Sequence, residues 1–445
     1  MKKLNFSITL LLALCFSLVS VPAQTTGTAT TSSTDAVTEL DVNGLKVLIK
    51  RRPSSPTVAA GLFVRGGSQN LTAATAGIEN MTLNVAAEGS KTYPRAALRK
   101  EMSSTGSSVG AGSNQDFSVM SLASTRQNFE RSWKVFADLA MNPGFAPDDV
   151  ELVRERILTG LRGSEDSPEG SLASLEEKVI YAGHPYSNDP SGTTETVSRF
   201  KAADLRAYHQ KIMQTSQLLL IIVGDVDATA VQKMISDSLG KLPRGAYKAK
   251  PVPAVSFTKP TLDVTSRSLQ TNYVQGIFPA PSLGSTDYYA MRVAVSILAG
   301  RVFQEVRVKN NLSYAPGADM NNMAANTGNI SVSAVEASRA VSLMLAEING
   351  LRTVPVEKTD ILETSGFFLT NYYIKQETNA AQAAELATYE LIGGGWRNSA
   401  NFLDRIRSVT PADVQRVSQT YFKNIRFVVI GNPAQIDRNV FVASD

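Results

Sequence analysis

The sequence predicts an α+β protein of two homologous domains, each an antiparallel-rich sheet packed with helices and related by internal duplication. Three observations carry this. Alternating apolar patterns with tight-turn dipeptides mark paired strands near the N-terminus. Amphipathic helical stretches follow them. The closing unit of the first half then recurs: KAADL, a helix and LLLIIVGDVDATA are echoed by TPADV, a helix and RFVVIGNPAQI. The helix Ala340 to Ile348 followed by Glu357 to Tyr373 likewise echoes the helical pair at 127–162.

In order, Lys2-Lys3, an uncharged apolar run from Ile8 to Val21, and Val21-Pro22-Ala23 read as a secretory signal over 1–23, with Gln24 the first mature residue. The run is shorter than the roughly 20 residues of a membrane span. An uncleaved anchor is the alternative. Leu14 before Cys15 is too large for a lipoprotein signal. Cys15 is the only cysteine, so the mature chain would have neither disulfide nor catalytic thiolate. Residues 24–36, rich in Ser and Thr, read as a flexible linker.

The N-terminal domain is placed at 37–242. Leu40 to Lys50 forms a hairpin turning at Asn43-Gly44, and Val58 to Val64 is a strand closed by Gly66-Gly67. A helix from Ala74 to Ala87 stops at Gly89, and a second runs from Tyr93 to Ser103. Strands Ser108 to Gly112 and Asp116 to Ser124 pair across Ser113-Asn114. Gln127 to Met141 buries Trp133, Phe136 and Ala140; Asp148 to Arg162 turns Val150, Val153, Ile157 and Leu161 inward. Helices at Ser171 to Tyr181, Ala203 to Met213 and Thr229 to Leu239 flank the strand Gln217 to Val223. A Pro-rich linker at 243–256 leads to the C-terminal domain, 257–445. Gly393-Gly394-Gly395 follows a helix and reads as its stop.

The chain is 43% apolar and 19% charged, ordinary for a globular protein. Its 44 Lys and Arg against 40 Asp and Glu give +4, or +2 once Lys2 and Lys3 leave with the signal. No basic cluster calls for nucleic acid. There is no Walker A loop, no G-x-G-x-x-G after a strand and no G-x-S-x-G elbow. The only histidines, His184 and His209, have no metal-ligand spacing and read as structural. A Ser-His-Asp arrangement stays open, because its parts need not be close in sequence.

The ordered series LDVNGLKVLIKRRP, VRGGSQN, AGIENMTLNVAAEGSKTYP, GSSVGAGSNQDFSVMSLAS, FADLAMNPGFAPDDVELVRERIL, YHQKIMQTSQLLLIIVGDVD, AGRVFQEVRVKNNLSY, ELIGGGW and VTPADVQRVSQTYF resembles the insulinase/pitrilysin family of inverted zincin peptidases, related to mitochondrial processing peptidase. The resemblance runs from about residue 37 to 440. It implies half of a metallopeptidase clam-shell. Active members carry H-x-x-E-H on the first helix, two zinc ligands around a base, with a later Glu as third ligand. Three protein ligands leave one position for a water whose pKa the metal lowers.

Aligned on Gly77 and Gly89, the zinc positions here are Asn80, Leu83 and Asn84, and the third-ligand position is Leu161. All four are lost, so the resemblance implies no zinc in this chain. Glu79 and Glu88 have no His near them with which to rebuild a site. In the second half, Arg307 and Tyr314 keep the family's Arg/Tyr spacing, a pair that binds substrate backbone and polarises its carbonyl. The implied function is a noncatalytic subunit of a periplasmic or secreted zinc metallopeptidase. It would act with a homologous subunit that carries zinc, on a peptide substrate, with no stable membrane anchor after signal cleavage. The alternatives are a stand-alone peptide-binding or scaffold protein of the same fold, and an enzyme of another kind.

Overall fold

The computed structural model describes residues 37–442. The expected signal at 1–23, Cys15 and the expected linker at 24–36 lie outside them. Strands β1 (Val37–Val42), β2 (Leu45–Arg51) and β3 (Thr57–Arg65) come first. Helices α1 (Ile78–Ala86) and α2 (Arg95–Thr105) follow, then β4 (Ser108–Ser113) and β5 (Phe117–Thr125). Next are α3 (Phe129–Met141), α4 (Pro147–Asp166), α5 (Pro168–Ile180), α6 (Thr194–Arg199), α7 (Ala202–Ile212), β6 (Leu218–Gly224) and α8 (Ala228–Ser236). The second half runs β7 (Thr261–Ser266), β8 (Asn272–Pro279), α9 (Tyr288–Val302), β9 (Gly317–Met320), β10 (Thr327–Ala334), α10 (Ala337–Thr353) and α11 (Lys358–Lys375). It closes with α12 (Asn379–Ile392), α13 (Phe402–Arg407), α14 (Pro411–Tyr421), β11 (Arg426–Gly431) and α15 (Arg438–Phe441).

One sheet has the order β1-β2-β6-β3-β5-β4 and the other β7-β11-β8-β10-β9. Without β1, the two orders are equivalent strand for strand. β2 and β6 are parallel, as are β7 and β11, and the remaining pairs are antiparallel in both. The duplication read in the sequence is therefore a repeated sheet topology. β6 is buried along its whole length, which is why it reads as an unbroken apolar run, LLLIIVG, instead of an alternation.

Each sheet has helices of its own half on one face. The opposite face is covered by a helix from the other half. Leu48, Phe63, Leu219, Ile221 and Val223 of the first sheet pack on Ala383, Leu386 and Ala387 of α12 and on Trp396. Ile277, Val428 and Ile430 of the second sheet pack on Leu172 and Ile180 of α5 and on Tyr181 and Tyr186. The two halves are thus joined by exchanged helices.

Several boundaries differ from the sequence reading. The first helix starts at Ile78, not Ala74, because Gly77 (φ 84°) turns the chain there. A Cβ on Gly77 would stand 2.6 Å from the Cα of Gly192, so only glycine fits this crossing. Gly89 is not a left-handed helix stop; α1 ends at Ala87 in helical conformation, and Gly89 instead lies against the backbone of Tyr93 and Arg95. On α4, Leu158 is more buried than the expected Ile157 and Leu161, which are only partly covered. Gly394 and Gly395 do stop α12, with φ of 75° and 117°.

Candidate functional site

α1 lies against β4, β5, α4, α6 and α7. Ile78, Met81, Leu83 and Val85 face the core of the first half. Asn80 and Asn84, four residues apart on the half-exposed face, are bonded to each other. The Asn84 amide donates to Asn80 Oδ1 and to the Asn80 carbonyl, both at 2.9 Å. Leu83 is 1% exposed. Leu161 on α4 is half-buried against the same core. Its neighbours Gly160 and Arg162 offer no carboxylate either.

These residues do not fit zinc. An amide is a weak ligand beside imidazole, and neither leucine has a lone pair or a proton site. Among the described residues, no group of three or more His, Cys, Asp or Glu is placed to hold a metal.

The two nearby carboxylates have other partners. Glu88 pairs with Arg156 at 2.9 Å, tying α1 to α4. Glu79 is 2% exposed and accepts from Ser118 Oγ (2.6 Å), Tyr208 OH (2.8 Å) and Asn70 Nδ2 (3.2 Å). Burial pushes its pKa up, against those three donors. Lys211 opposes that shift from a distance, and no ion pair to Glu79 is formed among the described residues, so it works as a polar pin between α1, β5 and α7. Sequence reasoning missed this because an acid in the first turn of a helix normally faces water.

The histidines are structural. His209 Nε2 lies 2.8 Å from the Ala140 carbonyl, and burial pushes its pKa down. His184 Nε2 lies 2.9 Å from the Pro253 carbonyl, while Nδ1 accepts from the Tyr186 amide.

In the second half, α9 continues into a π-helical turn over Phe303–Lys309, a local irregularity often found at functional sites. The chain reverses at Asn311 (φ 51°). This brings Arg307 and Tyr314 together. Arg307 Nη1 donates to the Tyr314 carbonyl at 2.6 Å, and the guanidinium carbon sits 4.0 Å from the Tyr314 ring centroid. The Phe303 ring lies 5.2 Å away on the same guanidinium. Tyr314 is 80% exposed, and its hydroxyl makes no hydrogen bond among the described residues. The half-buried cation and the exposed phenol are thus held as one unit with donors to spare. No hydrogen bond or ion pair joins α1 to residues 303–314 among the described residues.

The fold agrees with comparisons to known proteins. Residues 46–193 match the model of the insulinase family, peptidase family M16, and residues 199–387 match that of the peptidase M16 inactive domain. The chain belongs to this family of peptidases and peptidase homologues. An uncharacterized zinc protease of Mycobacterium tuberculosis is 22% identical over 387 residues, covering 84% of this chain and 88% of that protein. The mitochondrial cytochrome b-c1 complex subunit 1 of Bos taurus is 23% identical over 265 residues, 59% of this chain and 55% of that one. A peptidase M16 inactive domain from Pseudomonas fluorescens superposes with a TM-score of 0.81 at 19% identity, over 89% of this chain and 98% of that chain. The first half of the periplasmic protease PqqL from Escherichia coli gives 0.74 at 16% identity, over 92% and 96%. Against the longer PqqL structure the TM-score is 0.72 at 16% identity, with 90% of this chain and 48% of that one covered.

Proposed function

We propose that this chain is the noncatalytic subunit of an exported two-chain zinc peptidase. A homologous partner with an intact H-x-x-E-H would supply metal and base. This chain would supply Arg307, Tyr314 and half of the chamber that encloses a peptide. The observation that carries the reading is a contrast: the zinc positions hold Asn80, Leu83, Asn84 and Leu161, while Arg307 stays paired with an exposed Tyr314. The length relation to PqqL, which spans about two such halves, supports a second half of the same kind. Export rests on the sequence of residues 1–23.

In this role the guanidinium holds a substrate carbonyl. The Tyr314 hydroxyl donates to the oxygen on which negative charge develops, and such a donor acts most strongly where water is excluded. β4 forms an open edge of the first sheet, with Gly112 leaving space above it. A free strand edge can accept an extended peptide by backbone pairing.

The test is co-expression with the exported H-x-x-E-H homologue of the same organism, followed by size exclusion and a peptide-cleavage assay. Arg307→Ala and Tyr314→Phe should each lower cleavage by about 10²-fold while the complex still forms. Unchanged cleavage in both variants refutes the shared site. The likeness to a cytochrome b-c1 complex subunit favours a second reading, a scaffold of the same fold without peptidase function. Stable peptide binding by this chain alone, with no complex formed, would support it.

A further inference from the structure

We infer that the outward face of α11 is the surface on which the homologous partner half docks. This rests on the two-chain reading above. α11 is 18 residues long, yet Ile361 is its only fully buried residue. Its inner side packs by aromatic rings: Phe368 and Tyr372 lie 6.1 and 5.9 Å from Phe402. Its outer side presents Leu362, Phe367, Tyr373 and Ile374, at 70%, 61%, 61% and 56% exposure. At about 100° per residue these four fall within an arc of roughly 140°. Glu363 is the only charged residue in that arc.

The duplicated fold provides an internal control. α4 follows α3 in the first repeat as α11 follows α10 in the second. The exposed positions of α4 include Asp148, Glu151, Glu155 and Arg156. The same place in the fold is therefore met by water in one half and by apolar side chains in the other, and the fold alone does not require the apolar version. Among the described residues, every large apolar side chain left exposed lies between Phe303 and Val442, and α11 holds four of the ten. A cluster of exposed large apolar side chains on one helix face points to an interaction site.

The occupant follows from the companion half. The first half of PqqL aligns with 92% of this chain, and the longer PqqL has room for a second unit of similar size. Halves in one chain meet at the high effective concentration set by their linker. A half supplied by a separate chain has no such help and needs apolar area that becomes buried on contact. α11 offers that area. A lipid surface fits less well, since Glu363 lies within the face and basic residues stand only at the helix ends, Lys358 and Lys375.

The test uses the full chain with the substitutions F367E and I374E together, co-expressed with the exported H-x-x-E-H homologue. The complex should weaken by at least about 100-fold in size exclusion and lose cleavage in step. The isolated variant should keep its circular dichroism and melting temperature, because both side chains face solvent. Joining the two chains by a Gly/Ser linker should restore cleavage to F367E/I374E but not to Arg307→Ala, which separates docking from chemistry. A complex of unchanged affinity in F367E/I374E overturns the surface and leaves the two-chain reading standing. Failure of the wild-type chain to form any complex overturns both. Vesicles of 3:1 phosphatidylcholine and phosphatidylglycerol that bind the wild type but not the variant overturn the choice of occupant.

Discussion

The two halves repeat one sheet topology and cover each other with exchanged helices, but the two seams are fastened differently. Where α12 lies on the first sheet, the polar contacts at the rim join opposite charges. Lys46 Nζ reaches Glu390 at 2.7 Å and Glu39 at 3.1 Å, and Trp396 Nε1 donates to Glu39 at 2.9 Å. Arg52 and Asn379 add bonds across the same seam. Where α5 lies on the second sheet, Arg267 and Arg426 donate to backbone carbonyls at Asp166, Ser167 and Val179, and no ion pair crosses the seam among the described residues. The Tyr186 hydroxyl bonds to Asp116, and both meet the backbone of the β9–β10 loop, through the Ala324 and Ala325 amides at 3.2 Å each. Glu176 and Glu177 are neighbours there, with Asp189 acting on Glu177. One seam is an ion-paired clamp and the other a hydrogen-bonded latch. The duplication preserved the packing and left the polar chemistry free to diverge.

The largest expected effect tests whether the seams make one cooperative body. Trp396→Ala removes a nearly buried ring from the first seam and should cost about 3–5 kcal/mol. Ile277→Ala in the second seam should cost about 2–4 kcal/mol. Because each helix belongs to the opposite half, either change should lower one shared denaturant transition. Two separated transitions, with only one moved by each variant, would break the idea that the exchange welds the halves.

Much of this frame was legible in the sequence. The Asn43-Gly44 hairpin, the apolar run of β6 and the repeated closing unit each have a local signature, and the structure contains all three. The exchange of α5 and α12 has none. Leu172 and Leu386 are ordinary apolar residues of amphipathic helices, and periodicity says which side of a helix is buried but not against which sheet. The start of α1 was misplaced because a contact with Gly192, more than a hundred residues away, decides it. Asn80, Leu83, Asn84 and Leu161 are named only through the family resemblance, whereas the bond between the two asparagines needed coordinates. In α11, Leu362, Phe367, Tyr373 and Ile374 look like core residues in sequence and lie in water in the structure.

A middle-sized effect concerns α1, the helix on which the family resemblance would place zinc ligands. Glu79→Ala would leave Ser118, Tyr208 and Asn70 without their acceptor and open a void beside α1, at about 2–4 kcal/mol. Glu79→Gln keeps the shape and removes a charge that burial already disfavours, so it should stay within about 1 kcal/mol of wild type. Chemical denaturation of the two variants separates a structural pin from a reacting group. If Glu79→Gln abolished cleavage in the assembled complex at unchanged stability, the first half would hold chemistry after all, and the contrast with Arg307 and Tyr314 would fail.

The smallest effect sharpens the contrast between clamp and latch. Burial and the neighbouring acids push Glu176 and Glu177 up to about 7. In the unfolded chain such a carboxyl loses its proton near 4.5. Between these values the folded state holds more protons, so stability should fall as pH rises through this window and level off above it. Each group should contribute on the order of 1 kcal/mol after allowance for partial exposure. Glu385 in the clamp is also pushed up to about 7 by burial, but Lys50 and Lys375 oppose the shift. Melting curves from pH 5 to 8 on Glu176→Gln, Glu177→Gln and Glu385→Gln therefore rank the seams. The slope should flatten most when both α5 acids are replaced together, because that removes two raised carboxyls where Glu385→Gln removes one. An equal loss of slope from Glu385→Gln alone would mean that the clamp answers to protons as strongly as the latch, and that the two seams differ in bonding pattern only.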